Sequence, residues 1–251
     1  MSTPLTEVIK WLDDTLQPQQ FRDYCPNGLQ VEGRAQVRKL ATAVTASQDV
    51  LDSAVEWGAD ALLVHHGYFW KGEAQPVVGM KRRRLATLLE HEISLLAYHL
   101  PLDAHPQLGN NAQLGQLLGI SGSAPLQPDD PASVGNVGML ASSAGELASR
   151  LAELTGREPL LIGDPQHVVT RVAWCTGAAQ SYIDAAVAAG ADVFVTGEVS
   201  EPTVHIAREE GIAFIAAGHH ATERYGVQAV GAALAEAHAL QHRFLDIDNP
   251  V

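Results

Sequence analysis

Cysteine is nearly absent: the chain has two in 251 residues, Cys25 and Cys175, far apart. That excludes a disulfide framework and suits a reducing compartment. No apolar run approaches the roughly 20 residues needed to span a bilayer. The segment Met1–Glu7 has no basic stretch followed by an apolar core, so no signal peptide is expected and the expected location is the cytoplasm. Basic residues are scarce, with 16 Lys and Arg against 29 Asp and Glu, a formal net charge of -13. A nucleic-acid binder held through phosphate contacts needs the opposite balance. A nucleotide as substrate stays open, because a metal can supply local positive charge. There is no Walker loop and no Rossmann glycine fingerprint, so the usual phosphate-cradling readings fail.

What is present is an ordinary soluble composition, 46% hydrophobic and 18% charged, long enough for one large domain or two small ones. The organising stretch is Ala59-Asp60-Ala61-Leu62-Leu63-Val64-His65-His66-Gly67. It reads as a buried strand ending in two histidines and a glycine that lets the chain turn. In an open α/β sheet, ligands bind at the carboxyl ends of such strands. Around it, Pro4–Leu16 is predicted as a helix capped by Thr3, and the stretch from Ser47 or Gln48 to Trp57 as a helix ending near Gly58. Lys81–His91 is a further helix, and its run Lys81-Arg82-Arg83-Arg84 reads as a solvated face or subunit contact. Residues 27–33 read as turn, short strand, turn, and strands are expected at 40–45, 93–98, 168–175, 191–195 and 212–217, with a closing edge strand at 244–247. Residues 121–134 carry Pro125, Pro128 and Pro131 among serines and aspartates, and read as a linker. The expected domains are a first lobe over 1–120 and a second over 135–251, whose C-terminal helix can pack back on the first.

A repeat connects the two parts. Residues 52–60 align with 184–192 at an offset of 132, with six of nine positions identical. Extending the alignment sets His65-His66 against Gly197-Glu198, and Ile93–Tyr98 against Ile212–Ala217. Each half then reads strand, helix, strand, helix, strand, with polar residues clustered after the later strands. Two such halves facing each other would line one cleft.

The polar residues in those clusters suit metal chemistry. Adjacent residues of a regular strand point to opposite faces, so His65 and His66 share a site only at a strand end. His219 and Glu223, four apart at a helix start, put an imidazole and a carboxylate on one face; the alternative is a capping role with Thr222 as the cap. Asp103, in the loop after the strand at 93–98, supplies a second carboxylate. Three imidazoles and two carboxylates exceed the needs of one four-coordinate zinc and fit two divalent ions about 3.5–4 Å apart. The donors suit Fe, Mn or Zn. Glu198 is a candidate general base or support for a ligand, and His99 a candidate for orienting a ligand or substrate. His220 is ambiguous between support and exposure. His91, His105, His167, His205, His238 and His242 read as surface or packing residues, as do the two cysteines.

Four segments together resemble a known family: His65-His66-Gly67-Tyr68-Phe69-Trp70-Lys71-Gly72, Tyr98–His105, Thr196-Gly197-Glu198 and Gly218–Glu223. With Asn27-Gly28-Leu29-Gln30-Val31 near the N-terminus, they are similar to the Nif-three-like family, also called the GTP cyclohydrolase type-two homologs, in its bacterial YbgI-like branch. The resemblance implies a three-layer α/β/α fold of two related lobes, a ring-shaped homohexamer and a dinuclear metal site. It assigns the metals to His65, His66, Asp103, His219 and Glu223. The activity implied is metal-dependent hydrolysis of a small molecule, GTP being the substrate in the family's label. The alternative from another class is a metal-trafficking protein without turnover. A weaker third reading, a ring encircling DNA, has only Lys81–Arg84 as a basic surface.

Overall fold

The structure is a computed structural model that describes residues 2–130 and 132–251. Met1 and Pro131, the last of the three prolines in the expected linker, lie outside the described residues. In chain order the first elements are β1 (Thr3–Pro4), α1 (Leu5–Leu16), β2 (Gly28–Val31), β3 (Gln36–Val37), β4 (Lys39–Thr45) and α2 (Gln48–Trp57). They continue with β5 (Ala61–His66), α3 (Gly79–Glu90), β6 (Ser94–Ala97) and α4 (Leu100–Ala104). Next come α5 (Asn110–Leu117), β7 (Ser121–Pro125), β8 (Asn136–Ser143), α6 (Ala144–Thr155), β9 (Leu160–Ile162), β10 (Val168–Cys175) and α7 (Ile183–Ala188). The chain closes with β11 (Val193–Thr196), α8 (Glu201–Glu210), β12 (Ala213–Ala216), α9 (His219–Thr222), α10 (Arg224–His238) and β13 (Gln241–Phe244). Among the described residues no helix is long and apolar enough to cross a membrane.

The chain forms two compact units, residues 1–102 with 226–248, and residues 103–225 with 249–251. The boundary falls inside α4, not near residue 120. Of the stretch 121–134, expected to link two lobes, Ser121–Pro125 supplies β7, the edge strand of the second unit's sheet. Alternating serines with few large apolar side chains hide that strand from a hydrophobicity reading; all five of its residues are exposed.

The first unit's sheet has the order β13-β4-β5-β6-β2. Its first four strands run parallel and β2 is antiparallel to β6. The inner strands are buried on both faces, which is why Leu40–Val44 and Ala61–Val64 read as continuous apolar runs rather than alternating ones. Ala41, Ala43, Leu62 and Val64 pack with Val50, Leu51 and Ala54 of α2 and Leu88 of α3. On the other face, α10 comes so close that a Cβ at Gly231 would overlap Thr42 and His242. The closing strand lies at 241–244, earlier than expected. Thr3 is not the cap of α1: it pairs with Val37 in the β1–β3 ladder, its hydroxyl donates to the His238 carbonyl, and Pro4 takes the cap position.

The second unit's sheet has the order β7-β8-β10-β11-β12-β9, with β10, β11 and β12 parallel and the outer strands antiparallel. Helix α6 opens with a full capping box, Ser143 and Glu146 bonding each other's backbone N–H, and ends at Gly156 in the left-handed conformation. Trp174 on β10 is fully buried and its indole N–H donates to the Asn111 carbonyl at 2.8 Å.

The two repeat segments begin each parallel run with the same device. The buried Asp60 accepts from the backbone N–H of Arg38 and Lys39 at 2.8 and 3.0 Å, and Asp192 accepts from those of Thr170 and Arg171 at 2.8 Å each. Their own backbone groups then bridge to the flanking strands: Asp60 to Lys39 and Ser94, Asp192 to Arg171 and Ala213. Burial works against the Asp60 charge, yet these N–H donors and Arg34 outweigh it and hold its pKa below the ordinary 3.8. The stabilisation is therefore present above the ordinary carboxylate value and lost as pH falls through the depressed one. Asp60→Ala removes the acceptor of two part-buried N–H groups and of Arg34, and an expected loss of about 1–2 kcal/mol follows. Thermal unfolding at neutral pH checks this, and the deficit against the parent should shrink in acid.

Candidate metal centre

Both histidines of the organising stretch are inside β5, at its carboxyl end. Pairing of β5 with β6 stops at Val64, while on the other side it runs on to His66 opposite Thr45. One-sided pairing relaxes the pleat there, and the two imidazole centroids lie 4.5 Å apart instead of on opposite faces. Gly67 serves by its lack of a side chain: a Cβ would overlap Gln30 and the Ala97 methyl. Its φ is not in the left-handed region, so close packing and not turning freedom is what glycine provides.

His99 joins that pair. It follows β6, and its ring centroid lies 5.0 Å from that of His65 and 5.7 Å from that of His66. The three residues each offer a ligand atom within 4.8 Å of the others. Trp70, from the aromatic loop after the pair, stands edge-on to His99 at 5.1 Å. Each ring is tied through Nδ1. His65 donates to the Tyr98 carbonyl at 3.1 Å, His66 pairs with the Thr45 hydroxyl at 3.1 Å, and His99 donates to Asp23 Oδ1 at 2.7 Å. A carbonyl and a carboxylate only accept, so His65 and His99 are fixed as the tautomers that present Nε2.

Asp23 is the residue the sequence reading missed. It is buried, and burial opposes its charge. Hydrogen bonds from His99, Asn27 and the Leu100 N–H overcome that and hold its pKa down at about 2. Asn27 also accepts from the His99 N–H at 2.8 Å. The segment at 27–31 hinted at this role, but nothing marked Asp23, which comes from irregular chain before β2. Cys25, expected to pack, has its Sγ within 4.8 Å of Asp23 and His99 ligand atoms. Burial, with the Asp23 charge beside it, pushes its thiol up to about 12, which keeps it protonated.

In the second unit three further donors converge at the end of β10. Asp103 lies on the one-turn helix α4, not in a loop. Its Oδ1 accepts from Asn110 at 2.9 Å and from the Thr176 hydroxyl at 3.4 Å. Asn111 donates to the Asp103 carbonyl and accepts from the Thr176 N–H. Glu223 is buried between α9 and α10, and its carboxylate comes within 4.8 Å of that of Asp103. His219 opens α9, its Nε2 3.3 Å from Glu223 Oε2. Thr222 does not cap. Its hydroxyl donates to the His219 carbonyl and accepts from the Gly177 N–H.

Glu198 takes the place the repeat gives it, beside His219. Its Oε1 accepts from His219 Nδ1–H at 2.7 Å, which turns Nε2 toward Glu223. Gly197 has no side chain because the His219 backbone passes where a Cβ would sit. Gly177 is similar: a Cβ would overlap Glu223 Oε1 and approach His219 Nε2. The space it leaves is bounded by Glu223 Oε1 and His219 Nε2, oxygen and nitrogen donors of the kind a cation takes. Burial lowers the His219 pKa, but Glu223 and then Glu198 outweigh it and raise it to about 9. The donors of both units, imidazole nitrogens with carboxylate oxygens, fit divalent ions of the Fe, Mn and Zn type.

The profile of the Duf34/NIF3 (NGG1p interacting factor 3) family matches residues 3–250. A Pseudomonas aeruginosa protein described as a GTP cyclohydrolase 1 type 2 homolog is 57% identical over the whole of both chains. Among solved structures, the protein ybgI, described as of unknown function, superposes with a TM-score of 0.94 at 52% identity, covering 99% of this chain and 100% of its own. A Thermus thermophilus protein does so at 0.90 and 38%, with the same coverage.

Without metal, the His219 imidazolium stabilises the fold fully below the ordinary value of 6.5, and that contribution is lost as pH rises through about 9. NMR titration of the metal-free protein should place the His219 midpoint near 9. Glu223→Gln removes a raising partner and lowers the midpoint, and Gly177→Ala does the same by displacing the Glu223 carboxylate.

Proposed function

The chain belongs to the Duf34/NIF3 family, and we propose that it is a cytoplasmic metal-dependent hydrolase whose centre holds two divalent ions. His65, His66, Asp103, His219 and Glu223 are the ligands in this reading. The observation that carries it is the set of imidazoles tied at Nδ1: His65 by a carbonyl, His66 by a hydroxyl, His219 by Glu198. Buried histidines that only pack need no such common orientation; ligands do, and the outer partner also raises the basicity of the nitrogen presented. Two carboxylates within 4.8 Å of each other support the count of two ions, since they repel unless a cation or proton lies between them.

The chemistry such ions supply when bound is Lewis-acid polarisation of water and of a carbonyl or phosphoryl oxygen. The protein's own part is to hold the donors. Glu198 keeps the His219 tautomer and is the group placed to take a proton once His219 Nε2 is engaged. Asn110, Asn111 and Thr176 hold Asp103 in position. His99 lies against the His65–His66 pair, where it can orient what enters. The substrate is a small molecule, and a nucleotide is favoured by the description of the curated relatives as GTP cyclohydrolase 1 type 2 homologs. The matching Asp60 and Asp192 bridges support an origin of the two units by internal duplication. A homohexamer is proposed from the family resemblance.

Metal analysis of protein purified without chelator tests the reading. Two divalent ions per chain are expected, with ions lost in His65→Ala and Glu223→Ala. Turnover of GTP or a phosphoester should accompany metal loading and fall roughly 10- to 100-fold in Glu198→Gln. Absence of stoichiometric metal overturns the proposal. Full loading with exchange in minutes and no turnover across the panel replaces it with the metal-trafficking role.

A further inference from the structure

Away from the metal donors, the second unit holds a cavity of about 760 Å³, within the range of small-molecule sites. It lies between the β7–β8 hairpin and α7. Ala124, Pro125, Leu126, Val137 and Ala185 line it, and Arg171 of β10 is its one cationic side chain. A register shift in the β8–β10 ladder, between Val169 and Arg171, aims that arginine. Val169 and Val172 both pack in the core, and Arg171 faces the other way, into the cavity. Asp192 holds its backbone N–H at 2.8 Å. Its side-chain Nε is buried, and among the described residues nothing accepts from it. A buried guanidinium N–H without an acceptor is costly, and an anion in the cavity removes that cost. The metal donors are elsewhere in this unit. Thr176, which bonds Asp103, is five positions further along the chain, roughly 16 Å of extended strand.

We propose that this cavity is a second binding site, for an aliphatic carboxylate whose head pairs with the Arg171 guanidinium. The wall sets the ligand's body. Alanine, proline, leucine and valine supply apolar contact, and none of the described lining residues is an aromatic on which a ring could stack. A saturated acyl chain fits such a wall better than a heterocycle does. The depth of each charge sets the head. Asp129 and Asp130 line the rim and are exposed, so water and salt screen them. Asp130 Oδ1 is also taken by the Ala132 N–H at 2.9 Å. Arg171 is the deeper charge, and its planar fork matches the two oxygens of a carboxylate. Two rim carboxylates disfavour polyanions such as a nucleoside triphosphate, so the site takes a different class of molecule from the metal centre. The inference stands on these residues and does not rest on the metal reading.

Calorimetric titration of the full chain, as purified, with decanoate below its micelle-forming concentration tests the site. Saturable binding of one decanoate per chain is expected. Decanol and decylammonium carry the same chain with a neutral or cationic head, and should bind at least about 10-fold more weakly. Arg171→Met should cost decanoate roughly 10- to 100-fold and leave decanol where it was, with Arg171→Lys between parent and Arg171→Met. Ala185→Phe fills the cavity and should remove binding of both. Nitrogen NMR gives a second readout: the Arg171 Nε–H signal, identified by its loss in Arg171→Lys, should move on adding decanoate and stay put with decanol. Circular dichroism checks that each variant folds, and Arg171→Met decides alone if Ala185→Phe does not. Decanoate binding that survives Arg171→Met at the parent's affinity overturns the inference, because the carboxylate then sits elsewhere, on a metal ion for instance. So does decylammonium binding as tightly as decanoate, which would give the site to Asp129 and Asp130. Heat that never saturates overturns it as well.

Discussion

A histidine is a useful ligand only when its other nitrogen is held, and that constraint runs through both units. Four imidazoles have Nδ1 tied to oxygen: a carbonyl at Tyr98, a hydroxyl at Thr45, and carboxylates at Asp23 and Glu198. Three of these partners can only accept, which sets the tautomer of His65 and His99 before anything binds and fixes Nδ1–H of the His219 imidazolium as the donor to Glu198. The cost is borne by carboxylates, buried at Asp23 and half-buried at Glu198, that need donors of their own, and the chain provides them. Asn27 and backbone N–H groups serve Asp23, and Gln180 serves Glu198.

The scaffold for these ties is a parallel run in each unit, opened by an aspartate that bridges three strands. Parallel strands bring their carboxyl ends to one edge of a sheet, which is where β5, β6, β10 and β12 deliver His65, His66, His99, Thr176 and His219. Glycines at 67, 177 and 197 then allow side chains or backbone to approach at distances that any Cβ would forbid. Phe69, with φ of 66°, lies in the loop that brings Trp70 to His99. A bulky residue in the left-handed region is a strained choice, of the kind found where a loop must present a neighbour.

Some of this was legible in the residues themselves. The long helices and the buried parallel strands follow from apolar runs, caps and C-terminal glycines, and they fall within a few residues of expectation. Gly58 closes α2 as expected. The misses have a common physical origin. Strand β7 has no apolar pattern, because it is an exposed edge; β8 and β9 were not read at all; Thr3 was drawn into a two-residue ladder by a partner thirty-four positions away. Gly67 was read as a turn residue, when the space it leaves for Gln30 and Ala97 is its use.

The sequence by itself determined which chemistries were open: few cysteines, an acidic balance, paired histidines after an apolar run, and a His-to-Glu spacing of four. Those are local properties, set by covalent neighbours and by helical or strand periodicity. The tertiary structure alone decided which oxygen holds each imidazole. Asp23 reaches His99 across 76 positions, Tyr98 meets His65 across 33, and Glu198 meets His219 across 21. A hydrogen bond between residues so far apart in the chain is specified by the packing of strands, and no spacing along the backbone encodes it.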